Sequence, residues 1–208
     1  MIRVMVVDDH TIFRAGIARL MFDELDMKVT GEAADGSQAL ALLRVQSFDV
    51  VLMDINMGAR SGIDTLHSIR GELPHLPVIM LSMYVESQYA RLSLKARANA
   101  YLSKDVCREE LLHVIRHVAQ GGIYVTPRFA VGSKSMSPAE QPPHQRLSPR
   151  EMQVMHKIVL GVPLTEIGAQ IFVSVKTVAS HRSRILEKLG VATNAELVQY
   201  AMRHQLLD

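Results

Sequence analysis

The hydrophobic positions of residues 1–120 alternate between short apolar runs and segments with helical spacing. Five runs are almost continuously apolar: 2–7, 27–33, 48–54, 76–82 and 99–103. The segments between them place apolar side chains three and four residues apart, as amphipathic helices do. Continuous apolar strands are typical of a parallel sheet covered by helices on both faces. The pattern therefore predicts an α/β fold, a doubly wound parallel sheet of five strands.

From Leu147 onward the pattern has helical spacing only. Ser148-Pro149-Arg150-Glu151 carries the signals of a helix start, with Ser at the cap, Pro at the first position and Glu at the third. Glycines follow the first and third predicted helices. We expect helices at 149–160, 165–171 and 175–189, and a fourth capped by Thr193 or Asn194 that runs to Leu206. The short second helix and the long third one have a helix-turn-helix outline.

Proline and charge divide the chain. Five of its eight prolines lie between positions 127 and 149, which is typical of a semi-extended linker. We therefore assign a first domain to 1–122, a Pro/Ser-rich linker to 123–146 and a helical domain to 147–208. Residues 1–126 carry 13 basic and 15 acidic groups, and residues 127–208 carry 10 and 6. The net charge of +2 is thus the sum of −2 and +4, which predicts different partners for the two parts.

Composition excludes several classes of protein. The single cysteine, Cys107, excludes a disulfide framework within the chain and a Cys-rich zinc site. The first residues lack the apolar segment of a signal peptide, and no stretch approaches the roughly 20 apolar residues of a membrane span. We expect a cytoplasmic protein that does not bind membranes.

Polar side chains follow four of the five predicted strands. Asp8-Asp9 follow the first strand, Asp54 ends the third, Ser82 ends the fourth and Lys104 follows the fifth. Ligands of open α/β sheets bind beyond these strand ends. Clustered carboxylates repel one another unless a cation lies among them, and their oxygens suit Mg²⁺. Each residue alone is more often a cap or turn residue, but the set favours a site where Asp54 attacks phosphorus and Lys104 neutralises charge.

One class of enzyme and two nucleotide-binding motifs are excluded by residues that the sequence lacks. Haloacid-dehalogenase-like phosphatases also use a strand-end Asp, Mg²⁺ and a Lys, but they need a second Asp two residues later as acid/base. Asn56 occupies that position and cannot transfer the proton. The chain also has neither a GxGxxG motif nor a Walker loop, which excludes these two nucleotide-binding motifs.

Residues 1–120 resemble the receiver domain of bacterial two-component response regulators. The resemblance implies that Asp54 is the phospho-acceptor, that Asp9, Asp54 and the backbone carbonyl of Asn56 hold Mg²⁺, and that Asp8 acts on the metal through water. It implies three switch or phosphate-contacting residues: Ser82, Tyr101 and Lys104. A sensor histidine kinase or a small phosphodonor would supply the phosphoryl group, and the receiver would catalyse only its own phosphorylation and dephosphorylation. Gly58 replaces the usual Pro, and Asn56 and Tyr84 occupy positions that tune the phosphoryl lifetime.

The third predicted helix of the rear domain is basic. Between positions 175 and 190 it has four basic residues and one acidic residue, a balance that suits contact with DNA phosphates. From charge alone, an ordinary helical bundle with a solvated basic face explains the pattern equally well.

The segment from Leu147 is similar to the LuxR-type, or NarL/FixJ-type, output domain. The matching residues are Leu147 to Glu151, Gly161, Glu166-Ile167, Val173-Ser174, Thr177-Val178, His181, Ile185, Lys188-Leu189 and Val191. Sequence position and resemblance together give the DNA-contacting set Ser174, Lys176, Thr177, Ala179, Ser180, His181, Arg182, Arg184 and Lys188. Leu164-Thr165 replaces the usual Asn-Lys, and Ala179 replaces the usual Lys, so DNA binding is implied without a target sequence.

Both resemblances together imply a transcription regulator controlled by phosphorylation. Its partners would be a sensor histidine kinase, double-stranded promoter DNA, a second copy of the chain contacted through the last helix, and RNA polymerase. Two other hypotheses remain: a regulator that works without phosphorylation, and an adaptor whose helical tail binds protein.

Overall fold

The computed structural model describes residues 1–57, 60–83, 87–124, 142–204 and 206, without the side chains of 87 and 88. The chain separates into two compact units, Met1–Ser133 and Lys134–Asp208. Most of the proposed linker lies outside the described residues, as do Gly58 and Tyr84. The domain boundaries and the effects of those two residues therefore stay predictions.

The first unit is built on a parallel sheet of five strands in the order β2-β1-β3-β4-β5. The strands are β1 (Ile2–Val7), β2 (Met27–Ala33), β3 (Val50–Asp54), β4 (Val78–Ser82) and β5 (Ala100–Ser103). This order confirms the predicted doubly wound α/β fold. The direction of winding reverses between β1 and β3, and the crevice at that reversal is where such sheets bind ligands.

Five helices of the described residues cover the sheet: α1 (Thr11–Leu20), α2 (Gly36–Val45), α3 (Gly62–Glu72), α4 (Ser87–Lys95) and α5 (Arg108–Ala119). Val4 and Val6 of β1 pack in one core with Ile17 of α1 and residues of α5. The alternate residues Met5 and Val7 are also buried, at 0% and 1% exposure. Burial on both faces explains why the strands are continuously apolar.

The second unit is helical. Its elements are a short 3-10 helix (Pro143–Arg146), α6 (Pro149–Val159), α7 (Leu164–Gln170), α8 (Val175–Leu189) and α9 (Asn194–Arg203). The predicted caps are confirmed, because the hydroxyls of Ser148 and Ser174 accept backbone N–H groups of α6 and α8. Thr193 caps α9. Gly190 ends α8 in the left-handed region, at φ 67°, a conformation that favours glycine.

The predicted end of the last helix is wrong by three residues, since α9 ends at Arg203 rather than Leu206. The backbone N–H of Leu206 donates to the carbonyl of Ala201 at 2.9 Å. This hydrogen bond joins residues five apart in sequence, whereas those within an α-helix join residues four apart, and it is typical of the end of a helix. Leu206 is nevertheless 7% exposed, so its apolar character reflects burial in the core and not continuation of the helix. Among the described residues, no helix has the length and apolarity needed to cross a membrane.

Candidate functional site

The loop after β1 brings carboxylates to the crevice. Asp8 has a side chain 1% exposed, and that of Asp9 is 35% exposed. The backbone N–H of His10 donates to Oδ1 of Asp8 at 2.8 Å, which fixes the turn. One ligand atom from each of Asp8, Asp9, His10 and Asp54 lies within 4.8 Å of the others. The structure therefore brings the three predicted carboxylates together.

Lys104 lies between two of these carboxylates. Its Nζ is 2.7 Å from Oδ2 of Asp8 and 2.9 Å from Oδ2 of Asp54. The same ammonium lies over the ring of Phe13, 4.6 Å from the centroid. All but 4% of the Lys104 side chain is buried, so its charge is held by neighbouring side chains and not by water.

Burial and charge perturb both partners of this pair. Burial raises the pKa of Asp54, and the nearby charge of Asp8 raises it further, while Lys104 opposes the shift. Burial alone would lower the pKa of Lys104, but Asp54 and Asp8 outweigh that effect and raise it. Lys104 therefore stays cationic, and the surroundings of Asp54 disfavour its charge.

The backbone around Asp54 leaves no room for a larger residue at the start of α3. The N–H of Asn56 donates to Oδ1 of Asp54 at 3.2 Å, and the N–H of Gly62 donates to the carbonyl of Ile55 at 2.9 Å. A Cβ at Gly62 would lie 2.0 Å from the carbonyl oxygen of Asp54. Gly62 thus allows α3 to begin directly against the loop that carries Asp54. The metal-ligating role of the Asn56 carbonyl stays a prediction.

The two switch residues lie on neighbouring strands. The β3–β4 register pairs Asp54 with Leu81, so Ser82 is the next residue along β4. The carbonyl of Ser82 accepts the backbone N–H of Lys104 at 2.7 Å, which joins two predicted site residues directly. Ser82 is fully buried, and the Tyr101 side chain lies inside the protein at 3% exposure. Their roles in switching stay predictions.

Sequence reasoning missed two residues that shape the acidic loop. Nδ1 of His10 lies 2.8 Å from Oδ1 of Asp9 and 3.1 Å from Oδ1 of Asp8. Nη1 of Arg14 donates to the backbone carbonyl of Asp8 at 2.6 Å. His10 could have been recognised because it directly follows the acidic pair. Arg14 had no such signal, because its acceptor is a backbone carbonyl.

The residues present fit a divalent cation. The three carboxylates of this cluster lie close together, and the Lys104 ammonium pairs with two of them, Asp8 and Asp54. Several carboxylate oxygens on one side of a crevice form the hard-oxygen donor set that Mg²⁺ prefers. Asp8, Asp9 and Asp54 are the side chains that would hold it.

The nine predicted DNA-contacting residues, which lie on α8 and at its cap, do not share one environment. Lys176, Thr177, Ser180 and Arg184 are exposed. Ser174 is exposed too, but its hydroxyl caps α8. The half-buried residues are Ala179, His181 and Arg182. Nε of Arg182 donates to Oδ1 of Asn194 on α9 at 2.6 Å.

Lys188 also has a partner within the unit. Its Nζ lies 2.7 Å from Oε2 of Glu151, at the start of α6. Sequence reasoning missed this contact, because it depends on which side of α8 faces α6. Ser183, which is outside the predicted set, is also exposed. The DNA-contacting roles of the nine predicted residues stay predictions.

Comparison with known proteins matched both units. A model of the response regulator receiver domain matches residues 4–116, and a model of bacterial regulatory proteins of the luxR family matches residues 145–201. Response regulator UvrY of Escherichia coli (strain K12) is 36% identical over 211 residues, covering 100% of this chain and 97% of the relative. Oxygen regulatory protein NreC of Staphylococcus carnosus is 31% identical over 215 residues, covering 99% of each.

A solved structure has the same fold over almost the whole chain. It is RcsB from Salmonella enterica serovar Typhimurium bound to promoter rprA in the presence of the phosphomimetic BeF3-. It superposes with a TM-score of 0.68 at 24% identity and covers 96% of this chain and 98% of RcsB.

Proposed function

The chain belongs to the two-component response regulators in which a receiver domain precedes a LuxR-type DNA-binding domain, and we propose that Asp54 is its phospho-acceptor. The observation that supports Asp54 is the Lys104 ammonium, 2.9 Å from Asp54 and 2.7 Å from Asp8. An ammonium in that position is placed to neutralise charge on an incoming phosphoryl group.

The proposed transfer uses a carboxylate oxygen of Asp54 as the nucleophile. It forms a bond to phosphorus as the bond between phosphorus and the imidazole nitrogen of a kinase phosphohistidine breaks, and the leaving nitrogen takes up a proton. Asp9, Asp54 and the carbonyl of Asn56 would hold Mg²⁺ directly, with Asp8 acting through water. When bound, Mg²⁺ would neutralise charge on the phosphoryl oxygens. The activity of the receiver would be confined to its own phosphorylation and dephosphorylation.

The new phosphate would act on the buried switch residues. Ser82 would donate a hydrogen bond to it, and Tyr101 would occupy the space that Ser82 leaves, which changes the surface around α4, β5 and α5. In the proposed output, that change controls pairing of two copies through α9 and binding of α8 to promoter DNA. A partner kinase, chromosomal DNA and RNA polymerase together suit a cytoplasmic location. The RcsB structure, which was solved bound to promoter DNA with a phosphomimetic, supports the proposed binding to promoter DNA by analogy of fold.

Labelling of the purified chain tests the acceptor. With Mg²⁺ and radiolabelled acetyl phosphate, the wild type should incorporate label, and Asp54→Asn should lose at least about 100-fold of it because the nucleophilic oxygen is gone. Asp23→Asn is the matched control, since Asp23 is exposed and outside the site. Circular dichroism should show the fold of each variant retained. Persistent label on folded Asp54→Asn would show that another residue is the acceptor.

A further inference from the structure

The first turn of α6 contacts the helix-turn-helix at both ends of α8. At one end, Nη2 of Arg150 donates to the carbonyl of Ile171 at 2.6 Å, in the turn that precedes α8. At the other end, Nζ of Lys188 lies 2.7 Å from Oε2 of Glu151. Arg150 and Glu151 are neighbours in sequence, so one short piece of α6 is linked to both ends of the recognition helix. Such links fix the direction of α8 relative to the rest of the unit.

Glu151 is buried, and its Oε2 makes two contacts within the unit. It is 3% exposed, and its Oε2 also accepts the backbone N–H of Ser148 at 2.7 Å, as part of the capping box of α6. Burial alone would raise the pKa of Glu151, but Lys188 and the Ser148 backbone outweigh it and lower the pKa. A buried carboxylate requires a partner, because an unpaired buried charge is strongly destabilising. Lys188 is that partner.

The phase of α8 places Lys188 on the side of the helix that faces α6. Residues seven apart lie on nearly the same side of a helix, and His181 is seven residues before Lys188. The Nδ1 atom of His181 is buried, without a hydrogen-bond partner among the described residues. Val178 and Ile185, which flank this line, are fully buried. Lys176, Thr177, Ser180, Ser183 and Arg184 are exposed. Thr177 and Arg184 lie next to the line of Lys188 and His181, and the other three lie farther round the helix, so the contact with Glu151, and not the side of the helix alone, distinguishes Lys188 from Arg184.

We infer that Lys188 is a positioning residue for DNA recognition: it holds α8 against Glu151, and its ammonium does not contact DNA. This inference rests on the proposed DNA-binding function of α8. It separates the basic residues of the helix into two kinds. Lys176 and Arg184 remain available to phosphates, while Lys188 sets the angle at which their side of the helix meets the groove.

The test measures, for each variant, the affinity for DNA and the dependence of that affinity on salt concentration. The logarithm of the DNA-binding constant falls linearly with the logarithm of the salt concentration, and the magnitude of that slope decreases by about 0.9 for each phosphate contact removed. All proteins are first incubated with acetyl phosphate and Mg²⁺. The probes are two fluorescein-labelled duplexes: one that the full-length wild type so treated enriches from a random-sequence pool, and one unselected duplex of equal length. Lys188→Met should weaken binding to the selected duplex about tenfold, change binding to the unselected duplex little and leave the salt slope unchanged. Lys176→Ala should weaken binding to both and lower the slope.

Two further variants address Lys188 through its partner. Glu151→Gln keeps an oxygen for the capping box but removes the charge that holds Lys188, so it should lose as much affinity as Lys188→Met. The double variant should lose no more than either single one. Lys188→Arg keeps a cation within reach of Glu151 and should restore binding to the selected duplex.

Each contrary result has a distinct meaning. A lower salt slope in Lys188→Met, with Glu151→Gln behaving as wild type, would make Lys188 a phosphate contact and overturn the inference. If Lys188→Met lost thermal stability but bound the selected duplex as tightly as the wild type, the inference would also be overturned, because the pair of Lys188 and Glu151 would then stabilise the fold alone. If the wild type enriches no duplex at all, the proposed DNA-binding function fails, and the inference fails with it.

Discussion

In the receiver unit, Lys104 and the carboxylates of Asp8 and Asp54 are side chains at most 4% exposed, whereas on α8 Lys176 and Arg184 extend into solvent. These three charged groups of the proposed receiver site lie where water screens them little. The proposed DNA-contacting cations of the helical unit lie in water, where each interacts weakly with its neighbours. The energetic consequences of the two arrangements differ.

A buried group of charges is interdependent, because each member is held by the others and removal of one leaves the rest unpaired. Exposed cations are independent, and they act strongly only when a polyanion is near. Lys188 combines the two cases. It is 38% exposed, yet its partner Glu151 is buried, so we expect its removal to resemble a change in the receiver site.

The largest effect on stability is expected for Lys104→Met. The substitution leaves the carboxylates of Asp8 and Asp54 together without their cation, and the loss of one partner from a buried ion pair costs about 3–5 kcal/mol. Urea unfolding in Mg²⁺-free buffer should show a fall of that size in the free energy of unfolding. A fall under about 1 kcal/mol would mean that the site is far more solvated than its burial indicates.

The matched control for that experiment is Lys28→Met. Lys28 is an exposed lysine on β2 of the same unit, and surface substitutions of this kind usually stay within about 0.5 kcal/mol. A comparable loss in both variants would show that the effect comes from removing any lysine and not from the buried group.

The receiver site was predictable because its members occupy the ends of parallel strands. Asp8, Asp54 and Lys104 are 46 and 50 residues apart in sequence, but the topology of a doubly wound sheet brings those ends together whatever the intervening helices are. Helix caps such as Ser148 were predictable for a different reason, since a cap is a local signal within four residues.

The pairing of Lys188 with Glu151 was not predictable. The two residues are 37 positions apart, and their contact depends on the rotation of α8 about its axis against α6. Charge and spacing alone placed Lys188 with Lys176 and Arg184 on one basic helix. The burial of its partner Glu151 distinguishes Lys188 from Lys176 and Arg184, and that burial follows from tertiary packing. The link between Arg14 and the carbonyl of Asp8 is of the same kind, because no sequence pattern marks a backbone acceptor.

A smaller effect on stability, with a clear effect on binding, is expected for Arg184→Ala. Because Arg184 is exposed on α8, its removal should change the free energy of unfolding by less than about 0.5 kcal/mol. If it contacts one phosphate, the log–log salt slope of DNA binding should fall by about 0.9. Fluorescence anisotropy titrations of a labelled duplex at salt concentrations from about 50 to 200 mM measure that slope. Lys28→Met should leave the slope unchanged, and an unchanged slope in Arg184→Ala would place this side of α8 away from DNA.

The smallest effect is expected for His181, which marks the boundary between the buried and exposed sides of α8. Burial lowers the pKa of His181, and the positive charges of Arg150 and Arg184 lower it further against the opposing effect of Glu151. Between the lowered folded pKa and the ordinary value of about 6.5, the unfolded chain binds more protons than the folded one. Stability should therefore fall as the pH drops through that window.

Calorimetry at pH 7 and pH 5 tests this expectation: the melting temperature of His181→Gln should fall less between the two pH values than that of the wild type. His75→Gln, an exposed histidine of the receiver unit, should show the full fall. Equal falls in all three proteins would mean that His181 is as solvated as Arg184. The surface of α8 that packs against α6 would then not include His181.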